Sequence, residues 1–282
     1  MSRLASLALL LCLPLLAQAQ SAGRLTFTEG QVRLLRGDQV FVAPKGLPLN
    51  GEDILDTPDT GSAIIEQADG TLFSAGSNSR LMVGNGALRL MLRSGWLKLQ
   101  AAEKSEPWAF STPQGGISGK ATLILRSTDS DIELFVENGE VTFNATRGGK
   151  FQVKSGQFLA QRGSKQAAVQ PRPDAAFVEA MPRGFRDRLP SLAARYADAR
   201  PVPRLLGEVR YDDVADWLNG PVSWRTNFVK RYESRLADPA FRSAIEANLN
   251  RHPEWARPLY PEKNQGNNKR PSGAANKEAS QP

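Results

Sequence analysis

From Arg24 to about Arg162, apolar and polar residues alternate in short runs. QVRLL, SAIIEQ, RLMV, LRLML, WLKLQ, IELFV, EVTFNA and FLAQR each last four to six residues. Between them stand Arg36-Gly37-Asp38, Asp69-Gly70, Asn85-Gly86, Asn138-Gly139 and Gly148-Gly149, which favour tight turns. Period-two alternation punctuated in this way puts one face of each run on a core and the other in water. It predicts antiparallel strands, and no helical period longer than about two turns interrupts them. A smaller unit recurs, a polar residue and glycine followed by x-apolar-x-apolar: Glu29-Gly30-Gln31-Val32, Ser94-Gly95-Trp96-Leu97, Asn138-Gly139-Glu140-Val141 and, more loosely, Ser155-Gly156-Gln157-Phe158. Its uneven spacing excludes a fixed-period repeat and predicts strand starts where glycine tolerates a positive φ. Residues 20–165 are therefore expected to form an all-β domain of short strands, either a sandwich or an irregular solenoid.

The pattern changes after Lys165. Residues 166–185, centred on QPRPD, read as a linker, because Pro171 and Pro173 fix φ and lack the N–H that a ladder needs. Residues 186–260 read as a small α-helical region. Asp212 or Asp213 caps a short helix carrying Val214, Trp217 and Leu218, stopped by Gly220-Pro221. A second helix, 222–236, stacks Trp224, Phe228, Tyr232 and Leu236 on one stripe. A third starts with Asp238 as N-cap and Pro239 at its first position, carries Phe241, Ile245 and Leu249, and ends at His252-Pro253. Residues 261–282 have almost no apolar content and read as a disordered tail.

The first residues alter the picture of where the chain works. Arg3, the apolar run Leu4 to Leu16 and Ala17-Gln18-Ala19 follow the three-part pattern of a secretory signal peptide, residues 1–19, cleaved before Gln20. Thirteen apolar residues are too short for a ~30 Å hydrocarbon core, so the mature chain is not expected to span a membrane. Cys12 is the only cysteine and lies in this segment, so the mature chain is expected to lack disulfides and thiolate sites. Net charge is +7 over the 282 residues, and the excess lies mainly after residue 165. Nucleic acid is not an expected partner for an exported chain.

Candidate chemistry is scarce. GGISGKAT resembles a phosphate-binding loop, but G-x-x-x-x-G-K-[ST] requires glycine where Gln114 stands and a hydroxyl where Ala121 stands. The TLILRS that follows is a β run, whereas a phosphate loop opens a helix. No nucleotide is expected, and the stretch reads as a strand, a glycine turn holding Lys120 on a loop, and a second strand. His252 is the only histidine. At a helix end it reads as structural, a cationic ring facing the negative terminus. The chain lacks G-x-S-x-G, and a zinc site would need mostly carboxylates. Asp129/Asp131 and Asp212/Asp213 fit turns and caps first. The reading is of a non-enzyme with no catalytic residues, metal or cofactor.

EGQVRLLRGDQ, GLPLNGEDILDTPDTGSAIIEQADGTLFSAGSNSRLMV, FSTPQGGISGKATLIL, ELFVENGEVTFNA and VKSGQFLAQR occur in that order. Together they resemble a FecR domain over roughly half the chain. The family elements are Gly51, Asp53, Thr57, Ser62, Asp69-Gly70-Thr71, Ser79, Thr112-Pro113, Gly139 and Gly156. Two departures fall at turns: Glu52 separates Gly51 from Asp53, and Gly119-Lys120-Ala121-Thr122 replaces the usual Gly-Thr. The family's namesakes are membrane-spanning sigma regulators with a cytoplasmic anti-sigma segment, which is not found ahead of this domain. The resemblance thus implies a periplasmic β module that binds an envelope protein, peptidoglycan or another polysaccharide. Alternatives are an accessory of cell-surface signalling, touching a TonB-dependent receptor or sigma regulator through a strand edge, and a carboxylate-based hydrolase. Trp217, Trp224, Trp255, Arg225 and Arg231 are the candidate interaction residues, because aromatic and arginine side chains anchor interfaces.

Overall fold

The computed structural model describes residues 22–84 and 88–261. The signal-peptide, Cys12, Asn85-Gly86 and tail readings from residue 262 onward lie outside them. The chain is mainly β, 41% strand and 23% helix, with the helices gathered towards the C-terminal end. Sixteen described strands form one branched sheet. Its path runs Ala168–Gln170, Phe158–Gln161, Ile132–Ala145, Gly115–Ser127, Trp108–Thr112, Leu88–Gln100, Arg80–Val83, Ile54–Asp56, Arg33–Arg36, Gln39–Val42 and Arg204–Glu208. The branch leaves Leu88–Gln100 through Leu72–Ala75 and Ser62–Glu66 to Gly23–Glu29 and Leu47–Leu49. Leu25, Leu34, Leu55, Phe73, Leu97, Phe110, Leu125 and Phe143, drawn from path and branch alike, fill one aliphatic-rich core.

The glycine units mark corners inside long strands. Gly95 has φ 99°, and a Cβ there would lie 2.4 Å from the Cα of Ser79. The close approach lets the Trp96 N–H donate to Ser79 Oγ at 2.9 Å while that hydroxyl donates back to the Trp96 carbonyl at 3.0 Å. Residues 90–94 therefore pair with Arg80–Val83 on the path and 97–100 with Leu72–Ala75 on the branch, within a single strand whose course bends at the glycine. Gly139 is a second corner: φ is 91°, and a Cβ would meet the Lys120 carbonyl at 2.4 Å. The predicted Asn138-Gly139 turn is thus a bulge within Ile132–Ala145, where the register slips between Thr122 and Leu123. Likewise GGISGKAT lies inside the strand Gly115–Ser127, and Lys120 sits on that strand rather than on a loop. The turn is Pro113-Gln114, closing a hairpin in which Thr112 faces Gly115.

Residues 166–185 are a packed connection rather than a free spacer. Ala168–Gln170 adds to the sheet, and Asp174 caps the helix Ala175–Ala180 by accepting from the Phe177 N–H at 2.8 Å. Phe177 lies 5.2 Å from Trp96 and 5.0 Å from Phe158, ring centroid to centroid. The region after residue 186 is not purely helical, because Arg204–Glu208 joins the far edge of the sheet. The helices Tyr211–Leu218, Val222–Tyr232 and Pro239–Ala247 follow the predicted stripes closely. Asp213 sits at the third helical position and accepts from the Arg210 N–H, so it completes the cap from inside. These helices bury Trp217, Trp224, Phe228, Tyr232, Phe241 and Trp255 against Leu35, Val40, Ile54 and Met82 of the sheet.

Candidate binding surface

Strand register creates one row of side chains on the sheet's outer face. Phe27 stands opposite Ile64, Ile64 opposite Ser74, and Ser74 opposite Lys98. A parallel row two residues on holds Glu66, Leu72 and Gln100. Residues 182–193 cross these rows as a strap, and the polar members of both rows grip it. Lys98, 2% exposed, donates to the carbonyls of Phe185 at 2.6 Å and Asp187 at 3.0 Å and pairs with Glu137 at 2.9 Å. Gln100 Oε1 accepts from the Leu189 N–H at 3.0 Å. Glu66 accepts from the hydroxyl of Ser191 at 2.5 Å and from the N–H groups of Leu192 and Ala193 at 2.8 Å each. Around the buried Glu66 carboxylate and the buried Lys98 ammonium, fixed dipoles of the strap take the place of water.

Leu189 of the strap packs over Ile64 and Leu72 but leaves Phe27 only half-buried. Between the strap and the loop 59–62 lies an open groove of about 550 Å³. Phe27, Ile64 and Leu189 form its floor with Phe185, while Glu29, Asp59 and Arg183 stand at its rim. Lys45 lies 5.0 Å over the Phe27 ring and supports it. Ser62, the one predicted family residue that reaches the groove, donates to Glu29 at 3.1 Å.

The other family residues hold turns. Asp53, 1% exposed, receives Arg36 Nε at 2.9 Å and Nη2 at 2.5 Å, and the Asn50 N–H at 2.8 Å. Thr57 donates to the Gly76 carbonyl at 2.6 Å and accepts from the Ser79 N–H at 2.8 Å, which ties the groove's loop to the next strand. Asp69 accepts from the Thr71 N–H at 2.9 Å across Gly70, and from Arg89 at 2.8 Å. Burial opposes its charge, but these hydrogen bonds prevail and hold its pKa below the usual carboxylate value. Thr112 donates to the Gly115 carbonyl at 3.0 Å, and the Gly156 N–H donates to Val136 at 2.8 Å. Gly51 lies in the turn 51–52, where Glu52 rather than glycine takes the positive φ of 70°.

The five candidate interaction residues do not form an outward surface. Trp217 and Trp255 are fully buried and Trp224 is 5% exposed, donating from Nε1 to Ser111 Oγ at 3.2 Å. Arg225 Nη1 donates to the Leu218 carbonyl at 3.0 Å. Arg231 reaches the sheet and donates to the carbonyls of Leu35, Gly37 and Glu52 at 3.0, 3.1 and 2.6 Å. Arg231 and Trp224 tie their helix to the sheet, Arg225 joins neighbouring helical segments, and Trp217 and Trp255 fill the core between. Beside them run alternating charges: Arg33 to Asp213 at 2.5 Å, Arg80 to Asp56 at 2.9 Å and to Asp216 at 2.7 Å, and Arg93 to Asp129 at 2.7 Å. His252 is fully buried, with Nε2 2.9 Å from the Tyr211 hydroxyl. Burial pushes its pKa down, so the ring is neutral rather than the expected cation at a helix end. Asp129 is engaged by Arg93, and Asp131 accepts from the Gly163 N–H at 2.8 Å, so neither stands as a free acid–base pair. Among the described residues no three His, Cys, Asp or Glu side chains converge on one point.

No protein-family model and no curated protein matches the chain. Two crystal structures of a candidate anti-sigma factor from Parabacteroides distasonis are similar in fold, with a TM-score of 0.39 at 11% and 10% identity. The alignment covers 45% of this chain and 62% of that one, so less than two thirds of that protein's length is represented.

Proposed function

We propose that the chain is a non-enzymatic, FecR-like β module of the periplasm whose groove receives an apolar segment of an envelope protein. The groove between the strap and Phe27 carries this reading. Its walls are apolar, and both are fixed before any partner arrives, the sheet by its ladder and the strap by Lys98, Gln100 and Glu66. A preformed apolar cleft with charges only at its rim suits a protein segment. All five tryptophans, 96, 108, 217, 224 and 255, are buried, so none offers the stacking platform that a sugar chain would use. The sealed histidine supports the non-catalytic reading. Placement in the periplasm rests on the signal-peptide pattern alone, and a role beside a surface receptor or sigma regulator would be exercised through the same groove.

The test is a photo-crosslinking residue placed at Thr60, on the exposed loop beside the groove, in the chain expressed in living cells. A discrete adduct with one envelope protein, lost when Phe27→Lys charges the floor, is the expected result. Adducts that persist in Phe27→Lys, or that contain only peptidoglycan fragments, would reject the groove as a protein-docking site. Fractionation of the same cells tests export.

A further inference from the structure

The strand Arg204–Glu208 is the last strand of the sheet path, with Gln39–Val42 on one side and, among the described residues, no strand on the other. Unlike the interior strands it is open on both faces: Arg204, Leu205, Leu206 and Glu208 are all exposed. Six large apolar side chains among the described residues are exposed, and three belong to this edge: Val202 at 86%, Leu205 at 53% and Leu206 at 45%. An apolar edge with unpaired backbone groups is a template for another strand. Edges that must stay single are blunted, and here Pro203 and the register slip at Leu206 restrict pairing to a short stretch without abolishing it.

The sequence of this edge, RLLGE, identifies its occupant. It is antisymmetric in charge about Leu206. Among the described residues the Arg204 side chain makes no hydrogen bond or ion pair, and Glu208 keeps 64% of its side chain in water while pairing with Arg235. We propose that a second copy of this chain pairs antiparallel along this edge, about a two-fold axis through Leu206. Arg204 of each copy then faces Glu208 of the other, the two Leu206 side chains meet at the axis, and each Leu205 lies opposite Gly207, where no side chain crowds it. Such an isologous contact closes after two copies and buries both edges, leaving none free to propagate. Five residues a side bury far less than a standard interface, so the dimer is weak and concentration-dependent.

Sedimentation velocity of the full chain over a concentration series tests this, with the chain's thermal transition as the control for folding. Wild type is expected to shift reversibly from monomer to dimer. Arg204→Glu places like charges at both ends of the pairing and weakens association by about tenfold or more, as does Glu208→Lys. An equimolar mixture of the two variants restores association, because each end of the heterodimer then joins opposite charges. A wild-type chain that stays monomeric throughout overturns the proposal, as does a mixture no more associated than either variant alone. Binding of an unrelated strand peptide to a monomeric chain would assign the edge to a different partner and also overturn it.

Discussion

The two cores of this molecule are assembled from different materials. The sheet interior is mainly leucine, isoleucine and valine with a few aromatic rings, from strands joined by backbone ladders, whereas the core above it centres on tryptophan, tyrosine and phenylalanine from short helices. The helices make no ladder with anything, so long side chains must do the joining. Arg231 spans to one strand carbonyl and two in the adjoining turns, Arg80 donates to the Asp213 carbonyl at 2.6 Å, and Arg235 donates to the Val209 carbonyl at 2.9 Å. The aromatic core also borrows its floor from the sheet, through Leu35, Val40, Ile54 and Met82. Strands are thus fixed by what lies next to them in the ladder. The helices are fixed by reach and shape, and neither region is complete without the other.

Trp217→Ala attacks that dependence most severely. It empties the centre of the aromatic core and is expected to cost about 3–5 kcal/mol. Urea unfolding followed by both circular dichroism and tryptophan fluorescence should show one transition at lower urea. Two separated transitions would mean that the regions unfold independently. Arg231→Ala removes a charged donor shared by three carbonyls and is expected to cost about 2 kcal/mol. Arg231→Lys should recover little of it in the same assay, since one ammonium cannot reproduce the fork.

The regions should also differ in their response to acid. Because burial pushes the His252 pKa below its ordinary 6.5, the neutral ring belongs to the folded state. Its contribution is complete above pH 6.5 and falls away as pH drops below that value, by about 1.4 kcal/mol per pH unit at most until the folded pKa is reached. Thermal unfolding from pH 8 to 5 should lose this slope in His252→Gln, which keeps a polar partner for Tyr211. The smallest effect is a gain. Glu52 holds a positive φ that glycine adopts freely, so Glu52→Gly should raise stability by about 1 kcal/mol in the same unfolding assay.

Much of this organisation was legible along the chain, and the misreadings have specific causes. Alternation located the strands, and the i, i+4 stripe of Trp224, Phe228 and Tyr232 located a helix, because both periods are local properties of the backbone. The same alternation marks Lys98, Gln100 and Glu66 as water-facing. Lys98 and Glu66 are instead buried, and Gln100 half-buried, beneath a segment that begins more than eighty residues later, a fact no local period contains. Asn138-Gly139 read as a turn and Gly95 as a strand start because glycine reports positive φ without saying whether the chain reverses, begins or only bends. The stretch RLLGE is too short for a period, and only its pairing with Gln39–Val42 makes it a strand. Arg225 and Arg231 grip carbonyls of their own chain, and an anchor's chemistry looks the same in the sequence whether it holds another protein or its own backbone. The groove itself left one trace, Ser62.

The edge strand has a further consequence for the order in which the molecule can come into being. Its partner Gln39–Val42 emerges early from any ribosome or secretion channel, but Arg204–Glu208 emerges more than one hundred and fifty residues later. Throughout that interval the nascent sheet carries a bare edge at Val40 and a bare apolar face at Leu35, Ile54 and Met82, the features by which half-made proteins stick to one another. Neither can be covered until the chain is nearly finished. Completion of the sheet is therefore a late event in biogenesis, and a holding chaperone would have most to protect just before it.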